Sequence, residues 1–124
     1  MIRTLRPAMV AALLGVLITA CGHQPWSARI TKASIAGDDQ TVTVTFEGER
    51  FTDGPVCTEV DRTEVTETSA VVTVEVFINY SCVEPGDPFR GTSAEQSTHI
   101  RLESLLGERR LETPDRQSIA ITRP

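Results

Sequence analysis

The strongest constraint on the fold is an alternation of apolar and polar residues with a period of two. It runs through Thr41–Phe46 and again through Val71–Ile78. Because successive side chains of a strand point to opposite faces of a sheet, this period predicts two half-buried β-strands. The second strand also carries Val71 and Phe77 on its outer face, so we expect it to be partly covered on both sides. The predicted inward residues are Val42, Val44 and Phe46 in the first strand and Val72, Val74, Val76 and Ile78 in the second.

Turn-forming residues separate the predicted strands. They lie at Gly37–Asp39, Asp53–Pro55 and Glu67–Ser69, where glycine and proline are needed or aspartate is tolerated. About seven short strands in one small domain fit an all-β fold, a small antiparallel β-sandwich of immunoglobulin-like architecture. Sequential antiparallel pairing is the simplest topology, although the sequence leaves the topology open. A small β-barrel is the alternative fold.

The N-terminal segment has the pattern of a secretory signal. Arg3 and Arg6 precede an uncharged stretch, Ala8–Ala20, that is too short for a hydrocarbon core of ~30 Å. The residues Ile18–Cys21 resemble the lipobox of bacterial lipoproteins. This resemblance implies cleavage before Cys21 and lipidation of its thiol, so that the lipid anchors the protein on the extracytoplasmic face of the cell membrane.

The resulting domain organisation has three parts. Residues 1–20 are predicted to be a lipoprotein signal peptide, residues 21–25 a lipidated cysteine with a short tether, and residues 26–124 the β-domain. An ordinary signal peptide that is cleaved nearby and a buried N-terminal helix of a cytoplasmic protein are the alternatives. Removal of Arg3 and Arg6 would change the formal net charge from -5 to -7, a surface that repels nucleic acid.

The cysteine count predicts one disulfide. Three cysteines are present, and lipidation of Cys21 leaves Cys57 and Cys82 as a pair in an oxidising compartment. Free structural thiols and a metal site are the alternatives. The only histidines, His23 and His99, stand at spacings unrelated to the cysteines, so a four-ligand zinc site lacks ligands. We therefore expect neither a metal nor another cofactor.

The sequence gives little support for an enzyme. It has no G-x-S-x-G motif, and His99 lies in a predicted strand among outward-facing residues. The carboxylate pairs are interpreted as a hairpin turn at Asp38–Asp39 and as a strand end at Glu47 and Glu49. The pair Arg109–Arg110 is interpreted as a charged hairpin tip, with anion binding as the alternative.

The connection from Tyr80 to Ser97 is unusually long, and long loops in compact domains are often functional. Tyr80, Phe89 and Arg90 are the candidate binding residues in it, and an idle surface insertion is the alternative. The sequence thus predicts a non-enzymatic binding or interaction module of the cell envelope, whose partner is the membrane through its lipid and an envelope protein or glycan. A small-ligand carrier or sensor with a pocket between the sheets is the second hypothesis.

The chain as a whole resembles small secreted or lipid-anchored proteins from high-GC Gram-positive bacteria. The resemblance is carried by the lipobox, the Thr41–Phe46 strand, the Cys57 and Cys82 pair and the Leu105–Leu111 turn. The use of eleven arginines against one lysine is consistent with a high-GC genome. This resemblance implies the same fold and compartment and no activity.

Overall fold

The computed structural model describes residues 24–82 and 91–124, which form strands and turns without a helix. The candidate residues Cys21, Phe89 and Arg90 lie outside the described residues. The eight strands are β1 Trp26–Ser27, β2 Arg29–Ile35, β3 Thr41–Phe51, β4 Thr58–Glu67, β5 Val71–Tyr80, β6 Gly91–Arg101, β7 Arg110–Glu112 and β8 Ile121–Thr122.

The described strands form two separate sheets, which confirms the all-β sandwich and not the barrel alternative. One sheet has the order β1-β5-β4 with β7 also paired to β5, and the other has the order β6-β3-β2-β8. The expected sequential antiparallel pairing is wrong in part, because β6 pairs with β3 while β8 and β7 lie parallel to β2 and β5. The reason is that consecutive strands such as β3 and β4 enter different sheets, so later strands must return to complete each layer.

The predicted inward residues form the core between the sheets. Val44, Phe46, Val72, Val74 and Val76 are completely buried, and the other predicted inward residues are at most 1% exposed. Each such side chain stabilises the fold by roughly 1.5–3 kcal/mol through removal from water. The outer face of β5 is also covered, as predicted, since the Arg62 guanidinium lies 3.9 Å from the centre of the Phe77 ring.

The predicted turn at Gly37–Asp39 joins β2 to β3. Asp38 accepts hydrogen bonds from the backbone N–H groups of Gln40 and Thr41 and from the Thr41 hydroxyl. These bonds, that of the Thr41 N–H foremost, lower the pKa of Asp38 to about 2. Asp39 adopts a positive φ of 56°, a conformation that aspartate tolerates in turns. The turn prediction is therefore confirmed.

The prediction that Arg109 and Arg110 form a charged hairpin tip is wrong for Arg109, because the segment connects β6 of one sheet to β7 of the other. Its side chain is only 10% exposed, and its Nη2 lies 3.0 Å from Oε1 of Glu67, whose side chain is 13% exposed. The guanidinium also donates to the backbone carbonyls of Leu105, Leu106, Ser104 and Thr68. Arg110 differs, because its side chain is 68% exposed. Arg109 thus holds the corner 104–109 against the β4–β5 turn, and it is not available to bind an anion.

The predicted disulfide joins Cys57 and Cys82, with Cα atoms 5.2 Å apart and a sequence separation of 25. Cys57 is completely buried, whereas Cys82 is exposed. The backbone N–H of Ser81 donates to the Cys57 carbonyl at 2.9 Å. The bond therefore ties the residue before β4 to the segment that leaves β5.

The long connection was predicted to run from Tyr80 to Ser97. Its last seven residues are not loop, because Gly91–Ser97 belongs to β6. The inward positions of this half of β6 are Ala94 and Gln96, which give no apolar alternation. Similarly, Glu47 and Glu49 do not mark a strand end, because β3 continues to Phe51. Pairing with β6 extends the strand beyond its apolar half.

Candidate binding cleft

A cleft of about 330 Å³ opens at one end of the sandwich. It lies where β1 approaches the far end of β3 and the beginning of β6. We call it the Trp26 cleft and define it by Trp26, Arg29, Glu49, Ile78, Gly91 and Ser93, which are among the residues that line it. Residues of both sheets contribute to its walls.

Trp26 provides an aromatic wall that the fold holds in place. Trp26 pairs with Ile78 across the β1–β5 ladder. The indole packs against Tyr80, with ring centres 4.8 Å apart and planes tilted by 53°. Trp26 is only partly buried, so part of the ring remains accessible. A tilted aromatic pair of this kind restricts the ring and presents a flat apolar surface.

Glu49 supplies a buried acceptor beside this aromatic pair. Its backbone is fixed on both sides, since its N–H donates to the Thr58 hydroxyl and its carbonyl accepts from the Cys57 N–H. Burial and a hydrogen bond with the Glu49 carboxylate raise the pKa of Tyr80 to about 12, so the phenol stays protonated. Among residues 24–82 and 91–124, Glu49 Oε2 is buried without a hydrogen-bond partner. A buried acceptor left unpaired costs about 1–3 kcal/mol.

Gly48 is part of the cleft lining, and the space around it admits no side chain. A Cβ at this position would collide with the side chains of Gln96 and Thr58. The Thr58 hydroxyl donates to Gln96 Oε1, and Gln96 Nε2 donates to the backbone carbonyl of Thr58 at 2.9 Å. The polar contact below Gly48 therefore fixes the spacing between β3, β4 and β6 at the cleft.

Of the predicted binding residues Tyr80, Phe89 and Arg90, the structure places only Tyr80 near the Trp26 cleft, since the other two lie outside the described residues. Tyr80 lies behind Trp26, and Gly91, which directly follows the segment 83–90, lines the cleft. Sequence reasoning missed Trp26 and Glu49. Trp26 precedes the first long strand, and Glu49 was interpreted as a solvated strand end. The available signal was that Trp26 is the single tryptophan of the chain.

A second cleft, of about 360 Å³, lies between β2 and β5 at the sandwich edge. Its apolar residues include Ala28, Ile30 and Val74, and its charged residues are Arg29, Glu75 and Asp115. Because Arg29 lines both clefts, the two lie side by side. They are separated by the crossing of the chain from β1 in one sheet to β2 in the other.

The other sequence candidates lie apart from these clefts. His99 is an exposed strand residue, as predicted, and its Nδ1 is 2.9 Å from the Thr43 hydroxyl. The described part of the chain contains no group of three or more His, Cys, Asp or Glu side chains that could hold a metal ion. Within the same ranges, no helix is long and apolar enough to span a bilayer.

Comparison of the chain with protein-family models, curated proteins and solved structures gives no significant match.

Proposed function

We propose that the protein is a lipid-anchored, non-enzymatic binding module on the extracytoplasmic face of the cell membrane, and that it binds a glycan of the cell envelope in the Trp26 cleft. One observation carries this proposal. Trp26, which is partly exposed, lines this cleft together with the charged residues Arg29, Glu47 and Glu49. An aromatic wall with a few fixed polar groups is the usual composition of a ligand site.

The two groups complement the two surfaces of a sugar ring. A pyranose presents an apolar C–H face, which packs on an aromatic ring, and hydroxyl groups around its rim, which donate hydrogen bonds. The Trp26 ring suits the face, and the charged groups of Arg29, Glu47 and Glu49 suit the rim hydroxyls, because ionised partners form the stronger kind of hydrogen bond. The formal net charge of -5 opposes nucleic acid as the ligand.

The anchor determines where such a ligand would be bound. Only residues 22–25 separate Cys21 from Trp26, and an extended chain reaches at most about 3.6 Å per residue. A lipid on Cys21 would therefore keep the Trp26 cleft within roughly 20 Å of the membrane surface. The proposed glycan belongs to the part of the envelope nearest the membrane.

The anchor is tested by Cys21→Ser. We expect this variant to lose lipidation, so that the protein is released into the medium or remains an uncleaved precursor. The measurement is fractionation of cells with immunoblotting, together with mass spectrometry of the N-terminus. Ser27→Cys in the same chain is a useful control, because it restores a thiol close to the tether without restoring the lipobox. Membrane retention of Cys21→Ser in the wild-type amount and with the mature N-terminus would rule out the lipid anchor.

The glycan site is tested by Trp26→Ala. We expect binding of the full-length protein to purified insoluble envelope glycan to weaken about tenfold or more, the loss of a well-packed aromatic contact. Co-sedimentation measures the effect. Leu105→Ala is the matched control, because Leu105 is 59% exposed and lies on the 104–109 corner away from the cleft. Equal binding by both variants, or none by the wild-type protein, contradicts the proposal.

The carrier hypothesis is favoured by one observation, the 360 Å³ cleft at the sandwich edge. Its volume falls in the range of small-molecule sites. Native mass spectrometry separates the two functions. A small molecule that copurifies with the wild-type protein and with Trp26→Ala, but is lost from Ile30→Glu, would favour a carrier. If no such molecule copurifies, glycan binding is the better supported function.

A further inference from the structure

The edge strand β6 is unusually regular. Within the described residues it is the outermost strand of its sheet. Its eleven residues pair with β3 in one unbroken register, from Thr41 opposite Arg101 to Phe51 opposite Gly91. The outermost strand of the other sheet, β4, has a register shift between Val60 and Arg62, a device that protects sheet edges from other chains. β6 has neither such a shift nor a proline.

The ladder shows which backbone groups of β6 face away from β3. Just beyond its end, the Leu102 N–H donates to the Gln40 carbonyl at 2.8 Å. Because hydrogen-bonded pairs alternate along an antiparallel ladder, the even-numbered residues of β6 bond to β3. The odd-numbered residues Ser93, Glu95, Ser97 and His99 therefore turn their N–H and C=O groups to the open side. Their side chains are exposed, and three of these four are small or uncharged.

The charges next to this edge are unbalanced. Glu95 lies directly opposite Glu47 in the ladder, and like charges in that arrangement destabilise a sheet. Arg29 lies opposite Glu47 on its other side. The contact of 3.4 Å between Lys32 and Glu95 joins side chains that are 61% and 67% exposed, so it contributes little. The charged side chains that lie opposite one another across these strands form a row, Arg29, Glu47 and Glu95. A cation on the open side of Glu95 would balance the second carboxylate of this row.

We propose that β6 pairs with β6 of a second copy of this chain, antiparallel and centred on Thr98. This register uses the open backbone groups, because it places Ser97 opposite His99 and Glu95 opposite Arg101 of the second copy. Two-fold symmetry forms each pair twice. The row then reads Arg29, Glu47, Glu95 and the second copy's arginine, with a cation at each end of the two carboxylates. Main-chain bonds supply the affinity and the charges set the register, as in other cases of strand addition.

The register is tested in membranes from cells that produce the full-length protein. In the proposed register the double variant Ser97→Cys, His99→Cys places the thiol at position 97 opposite the thiol at position 99 of the second copy. We expect mild oxidation to give a covalent dimer on a non-reducing gel. Ser97→Cys alone and His99→Cys alone should each give little dimer, because neither residue faces its own copy in this register. A dimer formed equally well by either single variant, or no dimer from the double variant, overturns the proposal.

The charge pair is tested in the same double-cysteine background. Glu95→Arg should reduce the yield of dimer about tenfold, because two attractive pairs become repulsive. Adding Arg101→Glu reverses both charges and should restore the yield. Thermal unfolding of each variant verifies that the fold is intact. Unchanged yield in Glu95→Arg, or failure of the folded charge-swapped variant to recover, overturns the pairing of these residues.

Discussion

Removing the disulfide should lower the thermal unfolding midpoint by roughly 15 °C or more. The Cys57→Ser, Cys82→Ser double variant releases the closure of a loop with a sequence separation of 25. The loop-entropy model gives about 3.5 kcal/mol for a loop of this length, and each kcal/mol shifts the midpoint of a small domain by about 4–8 °C. The double variant avoids the free thiol that either single substitution would leave.

The control for this experiment is the wild-type protein in a strong reductant. Reduction breaks the same bond, so the reduced wild type should unfold close to the midpoint of the double variant. The double variant should not respond to the reductant. An unchanged midpoint in the double variant would contradict a stabilising role for the Cys57–Cys82 bond, whatever its effect on the folding rate.

Arg109→Ala should destabilise the protein by about 1–3 kcal/mol, the cost of losing charge-assisted hydrogen bonds in a partly buried site. The substitution leaves the Glu67 carboxylate, which is 13% exposed, without its cation. It also leaves carbonyls of the 104–106 corner without their donor. The pKa of Glu67 is lowered, first by the hydrogen bond from the Glu103 N–H and also by Arg109, so the carboxylate is ionised when the cation is lost. Chemical denaturation with circular dichroism measures the effect.

The adjacent arginine provides the matched control. Arg110→Ala removes the same charge from a side chain that is 68% exposed and pairs only with Glu112 at 3.5 Å. We expect a change within about 0.5 kcal/mol, as for other surface substitutions. The variant Arg109→Ala, Glu67→Gln should be more stable than Arg109→Ala alone, because it no longer leaves a charge unpaired. Equal effects of Arg109→Ala and Arg110→Ala would contradict the structural role of Arg109.

The parts of the fold that could be predicted from sequence are those whose side chains alternate between core and solvent. The strand segments Val42 to Phe46 and Val72 to Ile78 each bury one face, and the alternation of apolar and polar residues with a period of two predicts that burial. The turn at Asp38 could also be predicted, because it depends on hydrogen bonds between residues that are close in the sequence. The Cys57–Cys82 bond followed from counting cysteines once Cys21 was assigned to lipid.

The remaining features depend on contacts between segments far apart in the chain. The first half of β6 could not be predicted, because its partly buried positions, Ala94 and Gln96, give no apolar pattern. Arg109 could not be distinguished from Arg110 in sequence, since its burial depends on Glu67, which lies on β4. The Trp26 cleft likewise exists only because β1 lies beside β5 while the ends of β3 and β6 meet nearby.

The most direct test of glycan binding uses the fact that Trp26 is the only tryptophan. Its fluorescence in the full-length protein reports occupancy of the cleft without a label. Titration with soluble fragments of envelope glycan should give a saturable change in emission, and Glu49→Gln should weaken the binding while Leu105→Ala leaves it unchanged. Emission that stays constant up to saturating glycan, or an equal titration in Glu49→Gln and the wild type, would contradict the Trp26 cleft as the binding site.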